Sequence, residues 1–272
     1  MSQPNVLVLI PAHNEEHRIG PTLRSYAEYA RRNYAGKCEL VVVVNASVDN
    51  TIGVVQQIAA EYPIVGWRVI PERVGKGGAL IEGLRLAPQA DFIGYVDADG
   101  STGPESFFRL VARCADADCV VGSRRIEGSV IHQSQPTRRQ FASKVFHFIV
   151  QCLFRMYISD TQCGAKVLRQ SAVLKIHDQL LIADMAFDVN LLYALKRAGC
   201  RVVEAPVDWT DQVGSKVTYF RTSLVMLLSV LRLRLYYSPF YPWFRPLRPL
   251  EGWIYRVLKN PPPRRSPPSK DE

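Results

Sequence analysis

The chain has 272 residues, of which 47% are hydrophobic and 22% are charged. This composition is typical of a globular protein with one large domain or two small ones, and it excludes a collagen-like, low-complexity or wholly disordered chain. The net charge of +9 indicates an anionic partner. Ten basic and three acidic residues follow from Phe220 onward, so seven of the nine net charges belong to the last fifth of the chain.

The cysteines and the apolar runs indicate the cellular location of the protein. Six cysteines are scattered without a C-x-x-C pair or the Cys/His spacing of a zinc site. The first residues carry no basic region, and their apolar run is too short for a signal peptide. The longest apolar run, residues 224–231, is much shorter than the roughly 20 residues that cross a bilayer. We expect a cytoplasmic protein with reduced cysteines and no membrane-spanning helix.

The first half of the chain alternates strand and helix signals. Continuous β-branched runs predict strands at residues 6–10, 40–44, 67–70, 92–96 and 119–121. Segments with a 3.6-residue apolar period predict helices at residues 19–32, 51–61, 77–86 and 104–112. Because these strands are apolar on both faces and are separated by helices, we predict an α/β fold with a mostly parallel central sheet covered on both sides.

Polar residues follow these strands at the points where each strand ends. In an open parallel sheet, ligands bind at the carboxyl ends of the strands. Four such ends carry side chains suited to chemistry: PAHNE (residues 11–15), NASVD (45–49), ERVGKG (72–77) and DADG (97–100). The sequence therefore predicts a binding site at this edge of the sheet.

The DAD segment is the most informative of the four. Asp97 and Asp99 are two residues apart at a strand end, so both carboxylates can face one cation. Hard cations such as Mg²⁺ and Mn²⁺ favour carboxylate oxygens and are often held by one or two of them together with substrate phosphates. A surface turn is the alternative, because Asp-Gly is common in turns. The buried strand before the segment favours the metal site.

The glycine-rich segment VGKGG suits a diphosphate ligand. Gly75, Gly77 and Gly78 let the backbone approach a ligand, the following helix offers free N–H groups, and Lys76 adds a positive charge. The spacing of a Walker A loop is absent, and no G-x-G-x-x-G follows the first strand, so ATP-type and nicotinamide sites lose support. An ordinary strand–helix turn is the alternative interpretation.

Taken in order, these segments resemble the family 2 glycosyltransferases, and most closely the dolichyl-phosphate (polyprenyl-phosphate) glucosyltransferase branch. The resemblance runs from about residue 6 to residue 216. The matching segments are PAHNEE, SVDNT, VGKGGAL, VDADGS, VVGSRR, DTQCGAK, FDVNLLYALKRAG and VDWTDQVGSK. The resemblance implies a GT-A (Rossmann-like) fold that binds a nucleotide-sugar and Mg²⁺ or Mn²⁺.

The resemblance also implies roles for individual residues. The nucleotide-sugar site would comprise Pro11, Ala12, Glu15, Asn45, Asp49, Lys76, Asp97 and Asp99, with Asp99 and Asp97 as the metal ligands. The acceptor phosphate would meet Arg124, Gln162, Ser215 and Lys216. Catalysis would involve Asp188, Lys76 and Arg124. The family's usual acidic pair after the second strand is Val44-Asn45 here, which leaves the identity of the nucleotide open.

The role of Asp188 depends on the acceptor. A sugar hydroxyl must lose a proton, and a positioned carboxylate would then act as a base. A lipid monophosphate, with a second pKa near ~6, is already mostly a dianion at pH 7 and attacks without one. Asp188 is a candidate base, an orienting group or a hydrogen-bond partner of Lys76, and a carboxylate that only faces a helix dipole is the alternative.

Two apolar segments indicate a membrane surface. Residues 144–158 predict a helix that is apolar apart from one stripe (Lys144, His147, Gln151 and Arg155), and residues 224–235 predict another beside Arg221. Aromatic residues then alternate with arginines, a composition that suits lipid headgroups. A docked helical subdomain or an oligomer interface is the alternative. The polar stretch 127–140, with His132, Arg138 and Arg139, is a candidate acceptor-side loop or a solvated basic loop.

We therefore expect a catalytic domain at residues 1–219, an apolar and basic helical segment at 220–260 and a disordered proline-rich tail at 261–272. The expected reaction moves a hexose, glucose from UDP-glucose, to a polyprenyl or dolichyl phosphate at the inner face of the membrane. A GDP-mannose donor, a soluble acceptor and a non-catalytic nucleotide-sugar-binding protein are the alternatives. No nucleic-acid partner is expected, because no recognised binding module is present.

Overall fold

A computed structural model describes residues 3–133, 137–211 and 219–238. The strands are β1 (Val6–Ala12), β2 (Cys38–Asn45), β3 (Val65–Ile70), β4 (Phe92–Tyr95), β5 (Cys119–Ser123), β6 (Val130–Gln133), β7 (Lys166–Arg169), β8 (Val202–Pro206) and β9 (Asp208–Thr210). The helices are α1 (Ile19–Asn33), α2 (Thr51–Glu61), α3 (Gly75–Leu84), α4 (Pro104–Arg113), α5 (Thr137–Phe154), α6 (Gln170–Ile176), α7 (Phe187–Arg197) and α8 (Tyr219–Tyr236).

The central sheet has seven strands in the order β3-β2-β1-β4-β7-β5-β8. All of its pairings are parallel except those of β7, which runs antiparallel between β4 and β5. The prediction of a mostly parallel α/β sheet is confirmed, and the five predicted strands and four predicted helices all form. Strand β7 was not predicted, because its four residues include Lys166 and lack the apolar run of the other core strands.

Helices cover both faces of this sheet. On one face, α1 buries Ile19, Leu23, Ala27 and Ala30 at helical spacing. Each fully buried Leu or Ile side chain contributes about 1.5–3 kcal/mol. On the other face, α3 lies so close to the sheet that a Cβ on Gly83 would come within 2.8 Å of Leu9. This double cover leaves the ends of the strands as the place where polar side chains can gather.

The segment from residue 127 to residue 158 differs from the prediction. The expected polar loop contains β6, which pairs with β9 in a small second sheet. Helix α5 begins at Thr137 and ends at Phe154, four residues before the predicted end, because Arg155 has a left-handed backbone (φ 50°). Its C-terminal end is fixed to α7, where Lys196 donates to the carbonyls of Phe154 and Arg155.

The polar stripe predicted for α5 is not its main solvent face. Over residues 143–154, where the structure describes the side chains of α5, the exposed residues are Lys144, Val145, Phe148 and Cys152, so three of these four carry no charge, and Phe148 is 65% exposed. His147 is instead partly buried, and burial together with the nearby Arg125 lowers its pKa. The exposed face of α5 over residues 143–154 is therefore mainly apolar.

The chain divides into two compact units, Met1–Lys216 and Val217–Glu272. The first unit contains both sheets. In the second, α8 covers the predicted helix 224–235. Among the described residues, no helix combines the length and the apolarity needed to cross a bilayer.

Candidate active site

The predicted strand ends meet in the middle of the sheet. Strands β2 and β4 flank β1, so Asn45, Ala12 and Asp97 lie on or just beyond three adjacent strands. The chain winds from β1 to β3 on one side and places β4 on the other side of β1, which makes the β1/β4 boundary the point where the winding direction reverses. Ligands bind at such switch points. Ala12 is buried and Pro11 is partly exposed there.

Asp97 and Lys76 form an ion pair at this point. Lys76 Nζ lies 2.5 Å from Asp97 Oδ1, and their side chains are 19% and 35% exposed. Burial would lower the pKa of Lys76, but the charges of Asp97, Asp188 and Asp99 outweigh it and the pKa is raised. Lys76 therefore stays protonated, and its ammonium is a fixed positive charge beside the two strand-end carboxylates.

The chain packs closely against Asp97 at a glycine. A Cβ on Gly164, in the DTQCG segment, would lie 2.6 Å from Asp97 Cγ and closer still to Oδ2. No real Cβ contact is that short. The loop before β7 thus packs against the Asp97 carboxylate, so the DTQCG segment helps to position Asp97.

The glycine-rich turn is held from two sides. The amide of Val74 donates to Asn45 Oδ1 at 3.0 Å, and the amide of Gly78 donates to the Ala183 carbonyl at 3.0 Å. Gly75 has a left-handed backbone (φ 78°), and a Cβ there would lie 2.7 Å from that carbonyl oxygen. The first turn of α3, which carries Lys76, is consequently packed against protein and is not a flexible loop.

Asn45, Asp49 and Glu15 connect the first two strand ends. The buried Asn45 side chain holds the glycine-rich turn, and the backbone carbonyl of Asn45 contacts His13 Nδ1 at 2.7 Å. Burial would raise the pKa of Asp49, but hydrogen bonds from Thr51 and from the Glu16 amide outweigh it and lower the pKa. The side chains of Asn45 and Asp49 therefore both accept hydrogen bonds from backbone amides at the site.

The pKa of Glu15 is sensitive to acidic groups at the neighbouring strand ends. It is paired with Arg18 at 2.7 Å. Its pKa is nevertheless raised, mainly by burial and further by the negative charges of Asp99 and Asp49. The acidic groups that follow β1, β2 and β4 therefore sense one another, as the strand-end prediction requires.

The site has the donor chemistry of a hard-cation site. Asp99 accepts a hydrogen bond from the Ser101 amide at 2.9 Å, and Asp97 is oriented by Lys76. In the described residues, no third His, Cys, Asp or Glu completes a protein-only metal cluster. Lys76 pairs with Asp97 and Arg124 pairs with Asp160, and the partly exposed Asp99 is close enough to raise the pKa of Lys76. The residues present therefore fit a divalent ion that takes its other ligands from substrate phosphates and water.

Arg124 is held by a carboxylate that the motif analysis did not single out. Its Nε and Nη2 bond Asp160 at 2.6 and 2.8 Å, and its guanidinium lies 5.1 Å from the centre of the Trp209 ring. Burial would lower the pKa of Arg124, but Asp160 outweighs it, with a further contribution from Asp97, and the pKa is raised. Asp160 is itself fixed by Glu204, which accepts from its amide at 3.2 Å.

Asp188 lies below the site. Its carboxylate is 4% exposed and pairs with Lys166 Nζ at 2.5 Å. The Tyr95 hydroxyl donates to the same oxygen at 2.5 Å, and burial together with Asp188 raises the pKa of Tyr95, so this hydroxyl stays protonated. Lys76, the partner considered from the sequence, pairs with Asp97 instead. Lys166 was missed because a lysine at the start of a buried strand has no local signal.

The remaining predicted residues are Gln162, Ser215 and Lys216. Gln162 is partly buried, and its Nε2 has no hydrogen-bond partner in the part of the chain that the structure describes. Ser215 and Lys216 lie outside the described residues. Cys163 is fully buried, and burial raises its pKa to about 11, so it is an unreactive packing group.

Comparison with known proteins identifies the family. The model of "Glycosyl transferase family 2" matches residues 7–176. A mouse dolichyl-phosphate beta-glucosyltransferase is 32% identical over 244 residues, which cover 85% of this chain and 75% of the mouse protein. The chain belongs to glycosyl transferase family 2. A second relative, dolichyl-phosphate beta-glucosyltransferase of Dictyostelium discoideum, is 29% identical over 85% of this chain and 74% of its own length.

Solved structures agree on the fold. Glucosyl-3-phosphoglycerate synthase from Mycobacterium tuberculosis, in complex with Mn²⁺, UDP and glucosyl-3-phosphoglycerate, superposes with a TM-score of 0.64 over 85% of this chain and 80% of its own. The two sequences are 17% identical, so the likeness concerns the fold alone. The predicted family and the predicted GT-A fold are both confirmed.

Proposed function

We propose that this protein transfers glucose from UDP-glucose, with inversion, to a polyprenyl or dolichyl phosphate at the inner face of a membrane. The observation that carries the proposal is the arrangement around Asp97, where Lys76 is ion-paired, Asp99 is two residues away, and Arg124 is close enough for Asp97 to raise its pKa. The names of the family relatives at about 30% identity support the same donor sugar and acceptor class.

In this proposal the donor lies across the β1/β4 boundary. The nucleoside contacts the ends of β1 and β2, including Pro11 and Asn45, and the diphosphate lies toward Lys76. The positive end of the α3 dipole and the Lys76 ammonium both favour an anion there. Asp99 would hold Mg²⁺ or Mn²⁺, with Asp97 beside it, and the bound ion would act as a Lewis acid that compensates the charge of the departing diphosphate.

The protein's own charges can support a single displacement. An oxygen of the acceptor phosphate attacks the anomeric carbon while the bond from that carbon to UDP breaks, which inverts the configuration. Lys76 is fixed where negative charge accumulates on the leaving group, and charge placed in advance needs no reorganisation during the reaction. Arg124, clamped by Asp160, offers a rigid guanidinium for the acceptor phosphate. A phosphate dianion requires no general base.

The exposed face of α5 supports a membrane-bound acceptor. Arg125, the neighbour of Arg124, donates to Ser143 Oγ at 2.7 Å, so the first turns of α5 lie beside the candidate phosphate site. The exposed Val145 and Phe148 follow on this helix. An apolar face next to basic residues is typical of interfacial helices. We propose that this face contacts the lipid surface that presents the acceptor.

Transfer assays test the proposal directly. The purified full-length protein would be incubated with Mn²⁺ or Mg²⁺, with UDP-glucose or GDP-mannose, and with polyprenyl phosphate or phosphoglyceric acid, and the products would be identified by mass spectrometry. We expect a glucosyl polyprenyl phosphate, with β configuration by NMR, from UDP-glucose. Transfer only to phosphoglyceric acid would refute the lipid acceptor, and nucleotide-sugar binding without transfer would indicate a non-catalytic protein.

A further inference from the structure

A buried charged cluster lies beneath the active site, and the mechanism above does not use it. Lys166 is fully buried, with its Nζ 2.5 Å from Asp188 Oδ1 and 2.7 Å from the Cys163 carbonyl oxygen. The Tyr95 hydroxyl bonds the same Asp188 oxygen. We call Lys166, Asp188 and Tyr95 the lysine cluster. Burying a charged pair costs several kcal/mol per ion, and a protein in which apolar side chains of similar volume replace the pair is often equally stable.

The geometry of Asp188 does not suit a general base. A base must come within about 2.6–3.2 Å of the proton that it removes. The Asp188 carboxylate is 4% exposed, and the described contacts of Oδ1 are an ammonium and a phenol that both donate to it. A proton acceptor needs a lone pair facing the substrate, whereas Oδ1 is occupied by these two protein donors.

The lysine cluster contacts both segments that position Asp97, namely strand β4 and the loop that contains Gly164. Tyr95 is the last residue of β4, two positions before Asp97. The carbonyl that Lys166 binds belongs to Cys163, and the next residue, Gly164, packs directly against the Asp97 carboxylate. A shift of Lys166 would therefore reach Asp97 through the strand and through the loop at once.

The cluster also reaches the turn that carries Lys76. Asp188 lies in the first turn of α7, next to Phe187. A Cβ on Gly77 would lie 2.6 Å from Phe187 Cβ. The Gly78 amide donates to the carbonyl of Ala183, which lies just before α7. The start of α7 thus supports the glycine-rich turn from behind.

We propose that Lys166 is a positioning residue which, through Asp188, Tyr95 and the Cys163 carbonyl, holds Lys76 and Asp97 in place, and that Asp188 positions these groups and takes no proton from the acceptor. The inference about catalysis rests on the proposed function. The part that concerns the donor site can be measured without any acceptor.

The decisive test replaces the whole cluster by apolar groups of similar size. Lys166→Met alone and Asp188→Leu alone each leave a buried partner unpaired and should lower kcat about 10²-fold, the loss expected for a displacement of about 1 Å at the site. The triple variant Tyr95→Phe/Lys166→Met/Asp188→Leu leaves no unpaired side-chain charge, and we expect it to recover at least tenfold over either single variant. Lys37→Met, in the exposed Lys37–Glu39 pair, is the control and should match the wild type.

A pH profile separates positioning from proton transfer. If Asp188 were the base, loss of its cationic partner in Lys166→Met would move the acidic limb of the kcat profile to higher pH, and a folded triple variant would be as inactive as Asp188→Leu. Either result would overturn the proposal. We expect the acidic limb to stay in place. Should the single variants fail to fold, Tyr95→Phe, which removes one hydrogen bond, should lower kcat threefold to tenfold, and an unchanged kcat would refute the cluster's role.

Binding of UDP with Mn²⁺, measured by calorimetry, makes the two proposals distinguishable. We expect the single variants to bind UDP at least fivefold more weakly than the wild type and the triple variant to recover most of that loss. If the wild type binds UDP but transfers no sugar, the proposed function fails and this binding test still applies. If UDP affinity is unchanged in every folded variant, the positioning role is refuted even in an active enzyme.

Discussion

The substitution Gly164→Ala tests the role of Asp97 in the candidate active site without replacing any charged residue. The added Cβ would lie 2.6 Å from Asp97 Cγ, whereas ordinary carbon contacts lie at about 3.5 Å or more. The Asp97 carboxylate must therefore move by about 1 Å. Because Asp97 Oδ1 is 2.5 Å from Lys76 Nζ, a movement of that size breaks the ion pair or drags Lys76 with it.

The expected cost falls on activity more than on stability. A displacement of about 1 Å at a reacting centre lowers the rate about 10²-fold, or about 2.7 kcal/mol of transition-state stabilisation. Insertion of a methyl group into a packed region costs about 1–3 kcal/mol of unfolding free energy. Asp97 is one-third exposed and can rotate toward solvent, so we expect a stability loss at the lower end of that range.

The assay compares Gly164→Ala with Gly66→Ala, a strand glycine where an added Cβ meets nothing within 4 Å. We expect kcat/KM for UDP-glucose to fall about 10²-fold in the first variant and to stay within twofold of wild type in the second. Urea denaturation would show that both variants are folded. A folded Gly164→Ala protein with wild-type kcat/KM would refute the placement of Asp97 in the donor site.

Four further outcomes are expected. Asp99→Asn should abolish transfer with an unchanged urea midpoint, since it removes a candidate metal ligand from a partly exposed strand end; retention of most activity would contradict the metal assignment. Arg124→Ala leaves the buried Asp160 carboxylate unpaired, so the unfolding free energy should fall by about 3–5 kcal/mol, with Arg124→Lys restoring part of it; in folded samples KM for polyprenyl phosphate should rise more than KM for UDP-glucose, and the reverse order would place Arg124 at the donor. The pKa of Asp160 is lowered because Arg124 outweighs burial. The stability that this group contributes is therefore complete above its unfolded pKa of about 3.9 and is lost as pH falls through the lower native value. The unfolding free energy measured from pH 5 to pH 2 should fall less steeply in Asp160→Asn than in the wild type, and equal slopes would contradict the pairing. The full-length chain should co-sediment with anionic liposomes more weakly as salt rises, and Phe148→Ser and a chain ending before Ser238 should each bind less; equal pelleting by all three would favour a helical region docked on protein.

The fold could be predicted from the sequence because its signals are local. A strand buried on both faces must be apolar at every position, and a covering helix must repeat its apolar residues every 3.6 positions. Both patterns are visible over five to fifteen residues in β1, β2, α1 and α2. The gathering of Asn45, Asp97 and the glycine-rich turn also followed, since the carboxyl ends of parallel strands lie at one edge of a sheet.

The partners of the charged residues were decided only by the tertiary structure. Asp188 pairs with Lys166, 22 positions away, and with Tyr95, 93 positions away. These contacts exist because β7 runs antiparallel between β4 and β5 and carries Lys166 into the interior. A buried charge is stable only beside a counter-charge, and distance in space selects that counter-charge. Periodicity along the chain reports which face of an element is buried, but it carries no information about which ion lies across the core.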